Sequence, residues 1–333
     1  MKRENIVSIG IIGAAGAIGN IHAECITSDI EHAAVRAVYD IDTQKCQAAA
    51  EKFDAIAHQS AEELITSTTV DAVLIASWDA THADFVQKCI AAGKPVFCEK
   101  PLATNISDCK KIVESEQRAG KTLVQLGFMR RFDADYKKMK KILNSGALGS
   151  PLMAHCISRT PRVADSHTTS MHITNIVIHE IDLFRWLLDE EMVKAGVLFP
   201  RSTSFAANTL KDPQLVIMQS ESGVLIDVEV SANSYYGYEI GCEIVCEKGT
   251  ISLPIPFEIA VRSRLSCTTE IPDSWENRFP GAYRAELQHW VGSILGAYPF
   301  TAASSQDGYA AQMVCETLIK SQESGKMEAV FHL

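Results

Sequence analysis

The sequence lacks long apolar runs and any excess of positive charge. Its 333 residues contain no stretch that approaches the roughly 18 apolar residues of a membrane-spanning helix. Lys and Arg number 31 against 41 Asp and Glu, which gives a formal net charge of -10. Because nucleic acids and anionic membranes are bound by basic surfaces, we expect neither as a partner.

Paired cysteines are also missing. The ten cysteines stand singly, with no CxxC pair and no Cys/His run at zinc spacing. We therefore expect no metal site, and reduced thiols packed as small apolar groups. The basic residues 2–3 are followed at once by Glu4 and Asn5 and then by a glycine-rich stretch, which disfavours a secretory signal. The expected location is the cytoplasm.

The composition is that of an ordinary globular protein, with 47% hydrophobic and 22% charged residues. At about 100 to 200 residues per domain, the length predicts two domains. Short apolar runs at 6–12, 33–39, 70–77, 95–98 and 122–126 alternate with amphipathic segments. This rhythm is typical of parallel strands covered by helices. Residues 1–127 are therefore predicted to form a doubly wound parallel sheet of the Rossmann type.

After Gly127 the pattern changes. Alternating runs rich in β-branched residues occupy 223–230, 238–246 and 250–253, with turn residues between them. Helices are predicted near 174–188, around 283–294 and from about 305 to 324. Residues 128–333 are therefore predicted to form one α+β domain with an open, mostly antiparallel sheet.

A glycine-rich segment follows the first predicted strand and opens the first predicted helix. Its residues are Gly13, Ala14, Ala15, Gly16, Ala17, Ile18 and Gly19. Backbone N–H groups at such a helix start, together with the helix dipole, can hold a pyrophosphate that bulky side chains would keep away. The GxxGxxG spacing departs from the dinucleotide fingerprint GxGxxG, and a plain strand-to-helix turn is the alternative interpretation.

Asp40 ends the second predicted strand. An acidic side chain at this point can accept hydrogen bonds from the adenosine ribose and repels a 2′-phosphate. No arginine follows Asp40 directly to clamp such a phosphate. We therefore predict NAD rather than NADP as the cofactor. The alternative is that Asp40 and Asp42 only start the following helix.

Glu99, Lys100 and Pro101 lie at the carboxyl end of a predicted parallel strand, the edge at which open α/β sheets bind ligands. Pro101 keeps Lys100 out of a helical conformation. A lysine beside a nicotinamide ring is suited to proton transfer. The alternative is an ordinary solvated lysine.

A second candidate cluster lies in the predicted helix at 174–188. In an α-helix, Asn175, His179 and Asp182 stand at i, i+4 and i+7 and share one face. Histidine exchanges protons near neutral pH, and a histidine on a polar stripe of an apolar helix needs a partner. A catalytic role for His179 is one interpretation, and a structural histidine is the other.

Several segments carry a resemblance to a known family. Residues 13–22, SWDATH at 77–82, FCEKPLAT at 97–104, LVQLGFMRRFD at 123–133 and HEID at 179–182 resemble the glucose-fructose oxidoreductase and inositol dehydrogenase family. Within it, KDPQ at 211–214, YGYEIGCEIV at 236–245 and DGYAA at 307–311 are most similar to the myo-inositol 2-dehydrogenases. The similarity covers nearly the whole chain.

The resemblance implies a nicotinamide domain followed by a sheet domain whose open face makes dimers or tetramers. We therefore expect a homo-oligomer, and specifically a homotetramer. It implies that Lys100 and His179 flank the reacting carbon. It places in the cofactor cleft Ser77, Trp78, His82, Glu99, Lys100, Met129 and Arg130. It places at the substrate Lys100, Arg130, Thr160, Asn175, His179 and Tyr238. For Met129 and Trp78, packing in the hydrophobic core is the alternative interpretation.

The sequence also departs from that family. An aspartate usually stands four residues before the histidine, whereas this chain has Asn175. An amide can orient an imidazole but brings no charge, so we expect His179 to be a weaker base. Ser158, Thr160 and Ile176 stand where more polar substrate contacts are expected. The identity of the cyclitol is therefore left open.

Together these observations predict an NAD-dependent dehydrogenase that oxidises a secondary alcohol of a cyclitol or sugar-like polyol. The hydride goes to nicotinamide, and the hydroxyl proton goes to His179 or Lys100. Two alternatives remain. One is a redox-neutral, glycosidase-type reaction in which tightly held NAD is oxidised and re-reduced in each turnover. The other is a nucleotide-sensing protein that has lost catalysis.

Overall fold

A computed structural model describes residues 6–207, 209–254 and 260–331. The chain divides into two compact units. The first unit contains the residues up to Phe132 together with Gly281–Gln312, and the second contains Asp133–Pro280 and the residues from Met313 onward. None of the helices in the described ranges combines the length and the hydropathy needed to cross a bilayer.

The first unit is built on a six-stranded parallel sheet. Its strand order is β3-β2-β1-β4-β5-β6, so the winding direction reverses between β1 and β4. The central strands are apolar and buried on both faces, as a parallel sheet covered by helices requires. The strands are β1 Val7–Ile12, β2 Ala33–Tyr39, β3 Ile56–Ala57, β4 Ala72–Ile75, β5 Val96–Cys98 and β6 Val124–Leu126. The predicted doubly wound sheet is confirmed.

Five helices connect these strands, and most begin or end on a local signal. The side chains of Asp42, Ser60 and Asn105 cap helix starts by accepting a main-chain N–H three residues on. Gly120 ends α5 in the left-handed conformation, at a φ of 65°. The helices are α1 Ala17–Asp29, α2 Thr43–Phe53, α3 Ala61–Thr66, α4 His82–Ala91 and α5 Ile106–Ala119, with 3₁₀ turns at Asp79–Thr81 and Met129–Phe132.

The second unit carries two complete helices, the carboxyl-terminal part of the last long helix and a mostly antiparallel sheet. Helix α6 spans Ala134–Asn144, and α7 spans Ile178–Leu188 directly after a π-helical turn at His172–Val177. The strands are β7 Pro151–Arg159, β8 Met192–Leu198, β9 Gln214–Ser220, β10 Leu225–Ser231, β11 Glu239–Cys246, β12 Gly249–Ser252, the hairpin β13 Ala260–Ser263 and β14 Ser266–Thr269, and β15 Glu328–Ala329. A 3₁₀ turn lies at Trp275–Asn277.

Seven of these strands form one sheet in the order β12-β11-β7-β10-β9-β8-β15. Strands β7 and β10 run parallel, and the other described neighbours run antiparallel. Buried and partly exposed residues alternate along β9, β10 and β11, so one face of the sheet is packed and the other is open. The predicted open, mostly antiparallel sheet is confirmed.

The last two helices are α8 Pro280–Ile294 and α9 Ser305–Ser324. Leu287, Trp290 and Val291 of α8 belong to the core cluster of the first unit, where the Trp290 ring meets Phe97 edge to face at 5.6 Å. A helix around 283–294 was predicted, but as part of a contiguous domain 128–333. The first unit instead recruits residues 281–312, and its boundary falls after Phe132 rather than after Gly127.

Candidate active site

The glycine turn after β1 is shaped by close main-chain approaches. Gly13 has a φ of +86°, and a Cβ there would lie 2.6 Å from the Ala76 carbonyl oxygen. A Cβ on Gly19 would lie 2.1 Å from the Gly13 oxygen. Both glycines are therefore demanded by the packing of the turn itself.

Gly16 differs from these two glycines. It is the N-cap of α1, it provides no capping side chain, and a Cβ added to it would lie 3.4 Å from the nearest heavy atom. The main-chain N–H groups of the first helical turn, at Ala17, Ile18 and Gly19, therefore donate no hydrogen bond to a capping side chain at the N-cap, and we call this group of N–H donors the diphosphate cradle. This is the arrangement that an anionic diphosphate fits.

Asp40 lies beside this turn, immediately after β2. Its Oδ2 accepts a hydrogen bond from the Ala15 N–H at 3.1 Å, and its Oδ1 accepts one from the Asp42 N–H at 3.1 Å. The cap of α2 is Asp42, whose carboxylate accepts the Lys45 N–H. Asp40 is therefore not the N-cap of α2. Its half-buried carboxylate lies next to the glycine turn, where it could accept hydrogen bonds from a ribose.

Glu99 and Lys100 follow β5 at the same edge of the sheet. The buried Glu99 carboxylate accepts the Lys100 main-chain N–H at 3.1 Å and contacts His22 Nε2 at 2.7 Å. Burial by itself would raise the pKa of Glu99, but the hydrogen bond and the charge of His22, with a smaller effect of Lys100, hold the pKa below its ordinary value. The Lys100 side chain is half-buried, and the Lys100–Pro101 peptide is cis.

His82 at the start of α4 joins two loops of this edge. Its Nδ1 lies 2.7 Å from the Pro101 carbonyl oxygen, and its Nε2 lies 3.0 Å from the Ser77 carbonyl oxygen. The ring is buried and both nitrogens face main-chain oxygens, so they are engaged within the protein. Ser77 bonds Thr81 through its hydroxyl at 2.7 Å, and the Trp78 side chain is 76% exposed.

Met129 and Arg130 lie in the 3₁₀ turn after β6, and both side chains are buried, with 4% and 2% exposure. With them, the first unit places predicted cofactor residues after five neighbouring parallel strands. These are β1, β2, β4, β5 and β6. The carboxyl edge around the β1/β4 reversal is where an open α/β sheet binds its ligand.

In the second unit, Asn175 lies within the π turn and His179 in the first turn of α7. The Ile178 N–H donates to the Ile173 carbonyl, five residues back. The predicted helix at 174–188 is therefore π-helical up to Val177, and the shared face of Asn175 and His179 stays a prediction. Both side chains are half-buried, and the Thr174 hydroxyl donates to Asn175 Oδ1 at 3.0 Å. Asp182 is buried.

The remaining predicted substrate residues follow β7 and precede β11. Thr160 donates its main-chain N–H to the Ser231 carbonyl at 2.8 Å and accepts the Ser234 N–H at 3.0 Å. Tyr238 is 8% exposed and donates its N–H to the Pro272 carbonyl at 2.7 Å. Ser158 is buried. The main chain at these three positions is held by the sheet and its loops.

Some polar residues of these sites were not singled out from the sequence. His22 pairs with Glu99, and a buried His172–Asp212 pair stands at the start of the π turn. His22 lies within the segment 13–22 and Asp212 within KDPQ, so both were visible as parts of motifs. Their partners lie 77 and 40 residues away along the chain, and no local spacing reveals such pairs.

The comparisons with known proteins agree with this architecture. The model described as "Oxidoreductase family, NAD-binding Rossmann fold" matches residues 7–128, and the GFO/IDH/MocA C-terminal domain model matches residues 136–252. Inositol 2-dehydrogenase 3 of Saccharopolyspora erythraea is 45% identical over 325 residues, covering 97% of this chain and 95% of that protein. Inositol 2-dehydrogenase of Serratia proteamaculans is 43% identical over 326 residues, covering 97% of this chain and 96% of that protein.

One solved structure extends the comparison to three dimensions. The myo-inositol dehydrogenase of Lactobacillus casei, in complex with NAD(H) and myo-inositol, superimposes with a TM-score of 0.95 at 33% identity, over 98% of each chain. The two family models thus match residues in both units, and the relatives are matched over nearly their whole length. This chain belongs to the GFO/IDH/MocA family of oxidoreductases, and its first unit is the NAD-binding Rossmann domain of that family.

Proposed function

We propose that the protein oxidises a secondary alcohol of a cyclitol or a closely related polyol with NAD as the hydride acceptor. The full-length relatives are inositol 2-dehydrogenases, and the solved relative at 33% identity is a complex with NAD(H) and myo-inositol. The observation that carries the proposal is the placement of the glycine turn, Asp40 and Lys100 at the carboxyl edge of one parallel sheet.

The first unit fits the dinucleotide. The uncapped N–H groups after Gly16 would hold the diphosphate, and the Asp40 carboxylate would accept the ribose hydroxyls and repel a 2′-phosphate. When bound, NAD supplies the electrophilic carbon that accepts the hydride. We assign to Ser77, Trp78, Met129 and Arg130 the lining of the cofactor cleft.

His82 and Glu99 receive a different role from the one expected. The ring nitrogens of His82 face the Pro101 and Ser77 carbonyls, and the Glu99 carboxylate is engaged by His22 and the Lys100 N–H. In these contacts the polar atoms of both side chains face other protein atoms. We assign both to positioning the loops that carry Ser77 and Lys100.

The proton chemistry is assigned to Lys100 and His179. The hydroxyl proton of the alcohol passes to one of these two side chains while the carbinol carbon gives up its hydride, so that a ketone is formed. The ammonium form of Lys100 stabilises the negative charge that develops on the oxygen. Asn175 orients the imidazole without adding charge. We assign Arg130, Thr160 and Tyr238 to the hydroxyls of the polyol.

We further propose that the protein assembles as a homotetramer through the open face of the seven-stranded sheet. That face mixes partly exposed apolar side chains, such as Ile157, Leu215 and Ile217, with the ion pair of Arg159 and Glu229. A broad sheet face of this kind is suited to pairing with a second copy. A cytoplasmic location is supported by ten cysteines that are all thiols.

The test is formation of NADH across a panel of inositol isomers and sugars. Wild type is compared with Lys100→Ala, His179→Ala and Asn175→Asp. We expect turnover on at least one cyclitol, loss of most turnover in the first two variants, and about tenfold faster turnover in Asn175→Asp, because a carboxylate stabilises the imidazolium.

The alternatives are outcomes of the same experiment. A protein that cleaves glycosides while its NAD is oxidised and re-reduced would consume substrate without any net NADH. A protein that binds NAD but leaves every alcohol unchanged would be a nucleotide sensor. Size-exclusion chromatography with light scattering tests the tetramer separately, and a monomer would contradict the assembly proposal alone.

A further inference from the structure

A buried pair of ionisable side chains stands at the start of the π turn in the second unit. His172 is the first residue of the turn, and its Nε2 lies 3.0 Å from Asp212 Oδ1. Both side chains are fully buried. Asp212 Oδ1 also accepts the Ala232 N–H at 2.8 Å, and Oδ2 accepts the Asn233 side-chain amide at 2.9 Å. The carboxylate therefore ties the turn to the segment that follows β10.

A second histidine continues the array. His167 Nε2 lies 3.3 Å from His172 Nδ1, and the two rings meet edge to face at 5.0 Å. Because an ionised carboxylate only accepts hydrogen bonds, Nε2 of His172 must donate to Asp212. When His172 is neutral, its Nδ1 then accepts from His167. The order Asp212, His172, His167 thus fixes the tautomer of both rings.

The charges around the array agree with this order. Burial would raise the pKa of Asp212, but the hydrogen bonds from His172, Ala232 and Asn233 hold the pKa below its ordinary value. Burial and the neighbouring His172 lower the pKa of His167 to about 4, against the opposing effect of Asp212. The array therefore contains an ionised carboxylate and a neutral outer ring near neutral pH.

The stability of the fold does not by itself explain why a carboxylate and histidines are buried together here. An ionised carboxylate in a core is offset only when it is fully hydrogen-bonded, and apolar side chains of similar volume often stabilise as well or better. The π turn also gives up the regular hydrogen bonds of an α-helix, a feature that occurs frequently at functional sites. Here the turn packs on β10, and it carries Asn175 and leads directly into His179.

We propose that the Asp212–His172–His167 array positions the π turn, and through it Asn175 and His179, for oxidation of the polyol. His172 and Asp212 are positioning residues that do not touch the substrate. This inference rests on the proposed function for its kinetic readout. The backbone readout below does not depend on that function.

The test compares four variants of the full-length enzyme. H172F keeps the ring shape and removes both hydrogen bonds, whereas H172Q restores an amide donor toward Asp212. D212A removes the acceptor. D212N keeps an oxygen that accepts from His172, because the side-chain amide of Asn233 can rotate so that its oxygen accepts from the new NH₂ group at position 212. The matched control is D189N, an Asp to Asn change in the same unit at an exposed residue that pairs with Lys140.

We expect H172F and D212A to lower kcat for the polyol by about 10- to 100-fold, since displacements near 1 Å carry such losses. NAD affinity, which belongs to the first unit, should stay within about twofold. H172Q and D212N should recover most of the activity, and D189N should behave as wild type. In hydrogen exchange, H172F should speed exchange of the amides at 173–178 while the amides of the first sheet keep their protection.

Several results would overturn the proposal. A folded H172F with wild-type kcat and unchanged exchange at 173–178 would show that the array positions nothing. Equal losses of activity, NAD affinity and melting temperature, without recovery in H172Q or D212N, would show a role in general stability only. If wild type oxidises no polyol, the proposed function fails, and the exchange data alone decide whether the array holds the turn.

Discussion

The Nε2 atom of His22 lies 2.7 Å from Oε1 of Glu99, and both side chains are buried. His22 belongs to α1, the helix that starts in the glycine turn, and Glu99 immediately precedes Lys100. The His22 ring also meets Phe97 and Tyr283 edge to face, at 5.3 and 5.7 Å. One hydrogen bond therefore links the helix expected to hold the diphosphate to the residue before the lysine expected to handle the proton.

Replacing Glu99 by Gln should lower both stability and turnover. If the amide oxygen of the new glutamine still accepts the Lys100 N–H, its NH₂ group faces Nε2 of His22. Nε2 must then accept a hydrogen bond, so the ring proton of His22 must move to Nδ1. That nitrogen is buried and has no hydrogen-bond partner among the described residues. We expect a loss of about 1–3 kcal/mol in the free energy of unfolding, and about 10-fold slower NADH formation. Thermal melts and initial rates measure the two effects.

The control for this change is Glu24→Gln in α1, the helix that carries His22, at an exposed residue paired with Lys52. It should change the free energy of unfolding by less than about 0.5 kcal/mol. Acidification gives a second check. The pKa of Glu99 is lowered in the folded protein. Its ionised carboxylate therefore contributes to the free energy of unfolding above the unfolded pKa, and this contribution is lost as the pH falls through the folded pKa. Wild type and E99Q should therefore converge in acid, and parallel curves would contradict an ionised Glu99.

Two glycine substitutions should separate folding from ligand binding. Gly13→Ala places a Cβ 2.6 Å from the Ala76 oxygen at a φ of +86°, so we expect a loss of stability of at least about 1–3 kcal/mol. Gly16→Ala meets no atom nearer than 3.4 Å, so we expect only the cost of an alanine at an N-cap, about 1 kcal/mol or less. Its methyl group enters the diphosphate cradle, so NAD affinity should fall at least about tenfold. Wild-type NAD titrations of G16A would refute this cradle.

Asp40 should decide the choice between NAD and NADP. Asp40→Asn keeps an acceptor oxygen for only one of the two N–H groups, of Ala15 and Asp42, that the carboxylate accepts, and it removes the charge that repels a 2′-phosphate. We expect the ratio of kcat/KM for NAD over NADP to fall by about 10- to 100-fold. Asp42→Asn is the matched control, because asparagine also caps helices well. Equal cofactor ratios in both variants would argue against a ribose contact at Asp40.

The pH dependence of stability should report on His167. Its folded pKa of about 4 lies below the ordinary value of 6.5, so between these limits the unfolded chain binds a proton that the folded chain refuses. The free energy of unfolding should therefore decrease as the pH falls through this window. His167→Gln removes the titrating ring and should give a flatter curve of melting temperature between pH 8 and pH 5. Identical slopes in both proteins would contradict a neutral, half-buried His167.

Much of the first unit follows from local patterns. The strand at 33–39 was predicted correctly because a short apolar run is a property of neighbouring residues, and the left-handed Gly120 that ends α5 is a local signal of the same kind. Short elements such as β3 and the boundaries of β4 and β6 were less visible. Pairing in a sheet, rather than propensity, determines where such strands start and stop.

The segment around Asn175 shows a limit of pattern reasoning. The four-residue interval from Asn175 to His179 was interpreted as part of a regular α-helix. The chain instead forms a π turn, whose first residue, His172, is hydrogen-bonded to Asp212 of a distant segment. The residue types were recognised, but the local spacing did not reveal the π turn.

Local chemistry along the chain was therefore sufficient for the alternating strands and helices, the glycine turn, and the acidic and basic residues at the strand ends, because each depends on residues a few positions apart. Folding in three dimensions was needed to bring His22 to Glu99, Asp212 to His172 and Trp290 to Phe97. Burial makes each of these pairings favourable only when the partner is present, and the partner comes from a remote part of the chain.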